Sequence, residues 1–249
     1  MSLAVERAVA TVTLESPSNR NALSTRLVME LHDTLRTALD DDSVRAVVLT
    51  GAGPVFCAGA DLKERRSENA EPPRVSFPEV LEMIHSSDKP VVVKMNGPAR
   101  AGGLGLVAAA DIAIAPSAAT FAFSEVHIGV APAMIAVPCT RRMTARSVHR
   151  YFLTGETFDA PTAAQIGLVT MAVEDVDAAC DSILESLRRA APGALAATKG
   201  LIEEARDVEF GTALRSMEAE SMRLFSGDEA REGMSAFLEK RKPAWVQTN

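Results

Sequence analysis

The chain has 249 residues, 47% apolar and 24% charged, the balance of a globular protein with room for one large core or two small ones. A formal net charge of −7 argues against a nucleic-acid-binding surface and leaves room only for a local basic patch. No stretch is long and uncharged enough for a transmembrane helix, and residues 1–7 lack the basic-then-apolar pattern of a signal peptide.

Three cysteines, Cys57, Cys139 and Cys180, are widely spaced and form no C-x-x-C pair, which predicts free thiols and a cytoplasmic location. The four histidines show no H-E-x-x-H pattern, so no metal site is expected.

In chain order, Val9 to Leu14 reads as a strand and 16–21 as a turn cluster. Ser24 is placed to cap a helix whose apolar residues Leu27, Val28, Leu31, Leu35 and Ala38 recur at helical spacing. A strand follows at 44–50. Residues 64–78 are polar, with Pro72-Pro73 and Pro78, and helical periodicity resumes at Val80. Val91 to Val93 is a strand, ended by Asn96-Gly97-Pro98. Residues 101–111 are small and apolar and predict a tightly packed helix with glycines in its first turn. Strands are expected at 111–115, 120–123 and 168–173, with helices opening at Ala131-Pro132 and Asp159-Ala160-Pro161. From Asp177 four helical segments follow, broken near Pro192-Gly193, Asp207 and Ser226-Gly227. Strands alternating with helices, then helices alone, predict an α/β core with a helical C-terminal region. No G-x-G-x-x-G or P-loop is present, which disfavours the usual nucleotide folds.

The stretch with most chemical content is Phe56-Cys57-Ala58-Gly59-Ala60-Asp61-Leu62-Lys63-Glu64. Small residues at 58, 59 and 60 let a ligand approach the backbone, and bare N–H groups before a helix suit an anion. On spacing alone such a loop is more often an ordinary turn. Residue by residue, however, it closely resembles the first oxyanion-hole segment of the crotonase superfamily, the enoyl-CoA hydratases and isomerases. Further matches at 96–115, 123–132, 151–170 and 228–245 follow in the family's order.

The resemblance implies a spiral of β-β-α turns, with an acyl-CoA site in a core at 1–190 and a helical oligomerisation region at 191–249. It implies that the backbone N–H groups of Ala60 and Gly102 hold the thioester oxygen, where charge develops during reaction. Family hydratases usually carry two glutamates. One matches Glu125; the other position is Gly105, so the second carboxylate is missing. His127 would share the face of Glu125 on an extended segment, although a packed or solvated histidine is the commoner outcome. Contacts to coenzyme A are expected from Arg20, Ala58, Leu62 and Lys63, with Phe237 and Lys240 supplied by a neighbouring subunit.

The expected function is therefore an enoyl-CoA hydratase-like lyase, with wording in two motifs similar to bacterial hydratases of the methylglutaconyl-CoA type. The alternatives are a Δ3,Δ2-enoyl-CoA isomerase using Glu125 alone, or a non-catalytic acyl-CoA-binding scaffold. Coenzyme A enters as part of the substrate, no separate cofactor is expected, and the assembly is a homotrimer or a hexamer built as a dimer of trimers. No nucleic-acid or membrane partner is expected.

Overall fold

A computed structural model describes residues 1–65 and 74–246. Most of the polar stretch expected at 64–78 thus lies outside the described residues. The chain begins with a hairpin, β1 (Ser2–Glu6) and β2 (Val9–Leu14), paired Glu6 to Val9. The two-residue turn, Arg7-Ala8, has positive φ at both positions, 48° and 61°. A tight hairpin demands this backbone, which usually selects Asn-Gly. Because the turn lacks those residues and every residue of β1 is exposed, β1 leaves no signature in the sequence.

Helix α1 (Thr25–Asp40) is capped as expected, Leu27 N–H donating to Ser24 Oγ at 3.2 Å. Its apolar stripe of Leu27, Val28, Leu31, Leu35 and Ala38 is buried. After it come β3 (Ala46–Gly51), α2 (Leu62–Arg65) and α3 (Phe77–Ser86). Pro78 does not precede α3 but lies in its first turn, behind a capping box in which Ser76 N–H donates to Glu79 at 2.6 Å.

Next are β4 (Val91–Lys94), β5 (Ala99–Arg100) and α4 (Gly102–Ala109), then β6 (Ile112–Pro116) and β7 (Thr120–Ala122). A 3-10 helix, Ser124–Ile128, leads to α5 (Ala133–Arg142) and α6 (Ala145–Thr154). The chain continues through β8 (Phe158–Asp159), α7 (Ala160–Gln165), β9 (Met171–Val173) and four helices. These are α8 (Val176–Arg189), α9 (Pro192–Asp207), α10 (Phe210–Phe225) and α11 (Asp228–Leu238). The expected α/β core with a helical C-terminal region is thus present, and the three breaks between the last helices fall where the sequence places them.

Six strands form one sheet in the order β1-β2-β3-β4-β6-β9, parallel except at the β1–β2 hairpin. Val47, Leu49, Val91 and Val93 face the main core with α1, α3 and α4. Ala46, Val48, Val92 and Ile114 face the other way and pack against Cys180 and Leu184 of α8. Burial on both faces explains why these strands read as continuous apolar runs. A smaller sheet, β5-β7-β8, stands beside the first, and Phe121 stacks on Phe158 there at 5.5 Å between ring centres.

Helix α9 is tied to the core by a largely buried cation. Lys199 Nζ donates to Ile84 O at 3.0 Å and to Ser87 Oγ at 2.9 Å, and lies 2.9 Å from Asp111 Oδ2. Asp111 in turn accepts from Val91 N–H at 2.8 Å, so one ion pair joins α9, the end of α3 and the start of β4. Lys199→Ala leaves the half-buried Asp111 without its cation and is expected to cost about 2–3 kcal/mol, below the full value for a wholly buried pair. Urea denaturation measures this. An unchanged midpoint would mean that α9 does not depend on the pair.

Candidate active site

Two loops meet to build the site. The segment after β3 runs beside β5, with Phe56 N–H donating to Pro98 O and Arg100 N–H to Cys57 O, each at 3.0 Å. This pairing carries Gly59-Ala60 against Ala101-Gly102. A Cβ on Gly59, whose φ is +85°, would lie 2.7 Å from Ala101 Cβ and 3.4 Å from Gly102 N. On Gly103 it would lie 2.8 Å from Cys57 Cβ. Larger residues would force the loops apart.

Ala60 and Gly102, the donors the resemblance implies, both lie at this junction. Ala60 bridges Leu23, but the bonds of that bridge use Leu23 N–H, to Gly59 O, and Asp61 N–H, to Leu23 O. Gly102 opens α4, where the first N–H groups have no acceptor within the helix and the dipole is positive. Ala101, just before it, holds φ 48° and ψ −123°, a costly backbone for a residue with a Cβ.

Asn21 fixes this arrangement, and the sequence reading gives it no role. Its side chain is fully buried. Nδ2 donates to the carbonyls of Ala52, Val55 and Phe56 at 3.0, 2.9 and 3.2 Å, and Oδ1 accepts Ser16 N–H at 2.8 Å. The turn-like wording of 16–21 conceals that role; φ of +53° at Asn21 suits asparagine.

A cavity of ≈ 420 Å³ opens at the junction. Ala58, Ala60, Leu62, Gly102 and Glu125 all line it, so five of the residues singled out in the sequence converge. Leu23, Val28, Phe77 and Ile135 supply apolar wall that the sequence does not assign to the site. Ser124 and Glu125 bring the polar side chains.

Glu125 is not on a strand, as its position after 120–123 suggests. It sits in the 3-10 helix, and residues two apart do not share a face there. His127 accordingly points elsewhere: its Nε2 lies 2.8 Å from Thr154 O and it does not line the cavity. Glu125 Oε2 is buried and has no hydrogen-bond partner among the described residues. Burial raises its carboxyl above the ordinary glutamate range, and the nearby Cys139 thiol is raised by its own burial and by the Glu125 charge.

Gly105 lies beneath the cavity wall. A Cβ there would stand 2.5 Å from Ile135 Cγ2, so a carboxylate at 105 would require Ile135 to move. The other expected contacts do not line the cavity. Arg20 is exposed beside it, its carbonyl accepting Ala58 N–H at 3.0 Å, and Lys63 is exposed at the start of α2. Phe237, 83% exposed, and Lys240 lie at the far end of α11 and just past it.

The structure thus brings two close-packed backbone loops and one buried carboxylate oxygen to a single cavity on a largely parallel α/β core. The model of the enoyl-CoA hydratase/isomerase family matches residues 4–248, and the chain belongs to that family. A short-chain-enoyl-CoA hydratase of Clostridium acetobutylicum is 32% identical, over 95% of this chain and 94% of its own. Among solved structures, Pseudomonas aeruginosa AtuE is 37% identical with a TM-score of 0.91, covering 99% of both chains. An enoyl-CoA hydratase from Mycobacterium avium is 47% identical with a TM-score of 0.70, covering 96% of this chain and 94% of that one. The fold is that of the crotonase superfamily.

Asn21→Ala removes the partners of three carbonyls and one N–H at once. The expected cost is about 3 kcal/mol, at roughly 1 kcal/mol per bond with incomplete additivity. Guanidinium denaturation measures it, and a cost below about 1 kcal/mol would show that water replaces the amide.

Proposed function

We propose that this enzyme isomerises a 3-enoyl-CoA to a 2-enoyl-CoA, with Glu125 as its single acid/base. The observation that carries the reading is Ile135, which fills the space beside Gly105 where a second carboxylate would stand. The Glu125 carboxylate removes a proton from C2 of the thioester. The electron pair moves onto the thioester oxygen, held by the N–H groups of Ala60 and Gly102. Glu125 then returns the proton to C4, leaving the double bond between C2 and C3. One such oxyanion donor is typically worth about 3 kcal/mol. Coenzyme A enters with the substrate and leaves with the product.

Hydration is the second reading. The relatives' names favour it, and Ser124 offers a hydroxyl for water in the same cavity. Water would add its oxygen to C3 while Glu125 takes its proton and delivers one to C2. A non-catalytic scaffold accounts least well for a buried, unpartnered carboxylate, which is costly to keep.

Arg20, Leu62 and Lys63 are proposed to contact the coenzyme at the cavity mouth. Phe237 and Lys240 are proposed to reach the site of a neighbouring copy, in a trimer or a pair of trimers. Exposed Phe210, Leu214, Met222, Phe225, Phe237 and Leu238 support that assembly, since a monomer rarely leaves so much apolar surface open. Sedimentation should find a trimer or hexamer; a stable, active monomer at micromolar concentration would refute it.

Assaying 3-enoyl-CoA isomerisation beside crotonyl-CoA hydration separates the readings, with isomerisation expected to be faster. Glu125→Gln should lower turnover at least ~100-fold while thioester affinity changes little. Near-normal turnover would sink the assignment. In the wild type, kcat/KM should rise with pH through a Glu125 pKa above the ordinary glutamate range. The same shift has a stability consequence. The folded protein holds this proton more tightly than the unfolded chain, so the ionised carboxylate costs stability above the folded pKa. Glu125→Gln should therefore stabilise at neutral pH, and the gain should vanish below the unfolded glutamate pKa.

A further inference from the structure

A second cavity, ≈ 560 Å³, lies at the opposite end of strand β3. Arg45 immediately precedes β3, whereas the oxyanion loop follows that strand's other end. Six residues of strand separate the two sites, roughly 20 Å at about 3.3 Å per residue.

The cavity is lined by Arg7, Arg45, Arg188, Arg189, Arg241 and Lys242, with Glu185 as its acidic side chain. Such a concentration of positive charge contrasts with a chain whose net charge is −7. Part of it is neutralised within the protein. Glu185 is shared at 3.7–3.9 Å among Arg7, Arg188 and Arg189. Arg241 is held by Glu232 and Glu239, both at 2.6 Å.

Arg45 is different. Among the described residues its buried Nη1 has no hydrogen-bond partner, and its Nη2 reaches only Trp245 O, at 3.5 Å. A buried guanidinium nitrogen without an acceptor is destabilising, and none of the described residues supplies one. The surroundings are also built around this point. Arg188 Nε donates to Arg7 O at 2.9 Å, and Arg45 N–H donates to Ala8 O at 2.7 Å. Trp245 lines the cavity, its Nε1 fixed to Arg189 O at 3.0 Å.

We propose that this cavity binds a phosphate-bearing polyanion, with Arg45 as the central ligand and Arg7, Arg188 and Lys242 around it. Guanidinium forks suit phosphate oxygens, and several cations in one concavity select multiple negative charge over a single carboxylate.

Titration calorimetry of the full-length protein with inorganic pyrophosphate, at physiological salt, tests the proposal. The wild type should bind pyrophosphate and prefer it to sulfate. Arg45→Met and the exposed-residue variant Lys242→Ala should each weaken binding by about tenfold or more. Turnover of the acyl-CoA substrate should be unchanged in Lys242→Ala. Coenzyme A and 3′-phosphoadenosine diphosphate, run as separate arms, distinguish a nucleotide ligand from a free phosphate compound. No pyrophosphate binding by the wild type, equal binding of sulfate, or full binding by a folded Lys242→Ala together with Arg45→Met would each overturn the proposal. If Arg45→Met fails to fold, Arg45→Lys serves instead and must also weaken binding, because a point charge cannot replace the fork.

Discussion

Everything at the active site depends on how closely two stretches of backbone can approach. Ala60 and Gly102, the donors of the proposed reaction, come from loops far apart in sequence and reach one cavity because the loops touch. Gly59 and Gly103 permit the contact by leaving out side chains. Asn21 supplies the polar half of the same constraint. Its amide satisfies loop carbonyls that the close packing removes from water, which would otherwise cost about 1–3 kcal/mol each. Apolar packing brings the loops together, and one amide offsets the desolvation that the packing imposes.

The dryness that would strengthen the proposed donors also acts on Glu125. Oxyanion stabilisation grows as water is excluded, because fixed dipoles act in a medium of low polarity. The same exclusion disfavours the ionised carboxylate and raises its pKa. A base so placed is a stronger proton acceptor once ionised, and a ready donor once it has the proton. One group can then serve both halves of a proton shuttle. Ile135 reinforces this by giving the wall beside Gly105 an apolar surface where a second carboxylate would have polarised it.

Several of the residues that meet at the cavity stand out in the sequence. Small residues at 58–60 and 102–103, and a glutamate after a strand, stand out because few side-chain types allow those roles. The alternation of elements points to the α/β core, and the buried runs at β3 and β4 are plain. Three things are hidden. Strand β1 is exposed and turns on Arg-Ala, so neither burial nor turn chemistry marks it. Asn21 looks like any turn asparagine, since the carbonyls it donates to lie more than thirty residues away. The break between α5 and α6 falls at Met143-Thr144, with neither glycine nor proline to announce it. Position singles out Glu125 but not its orientation, because a 3-10 turn and a strand end look alike over five residues.

The C-terminal helices are held by a different kind of force from the core. Between them, α10 and α11 bury only Ala213 and Ala236, while most of their large apolar residues face outward. What fixes the region is polar. Lys199 joins α9 to Asp111, and Glu229 accepts Gly193 and Ala194 N–H at 2.9 and 3.1 Å, capping α9 from a neighbouring helix. Glu232 accepts Ala244 N–H at 2.7 Å and pairs with Arg241, which folds the tail back toward Arg45. Polar ties set direction without supplying much burial energy, since exposed pairs contribute little. A region oriented by such ties keeps its apolar surface outward, which is the surface the proposed assembly would cover.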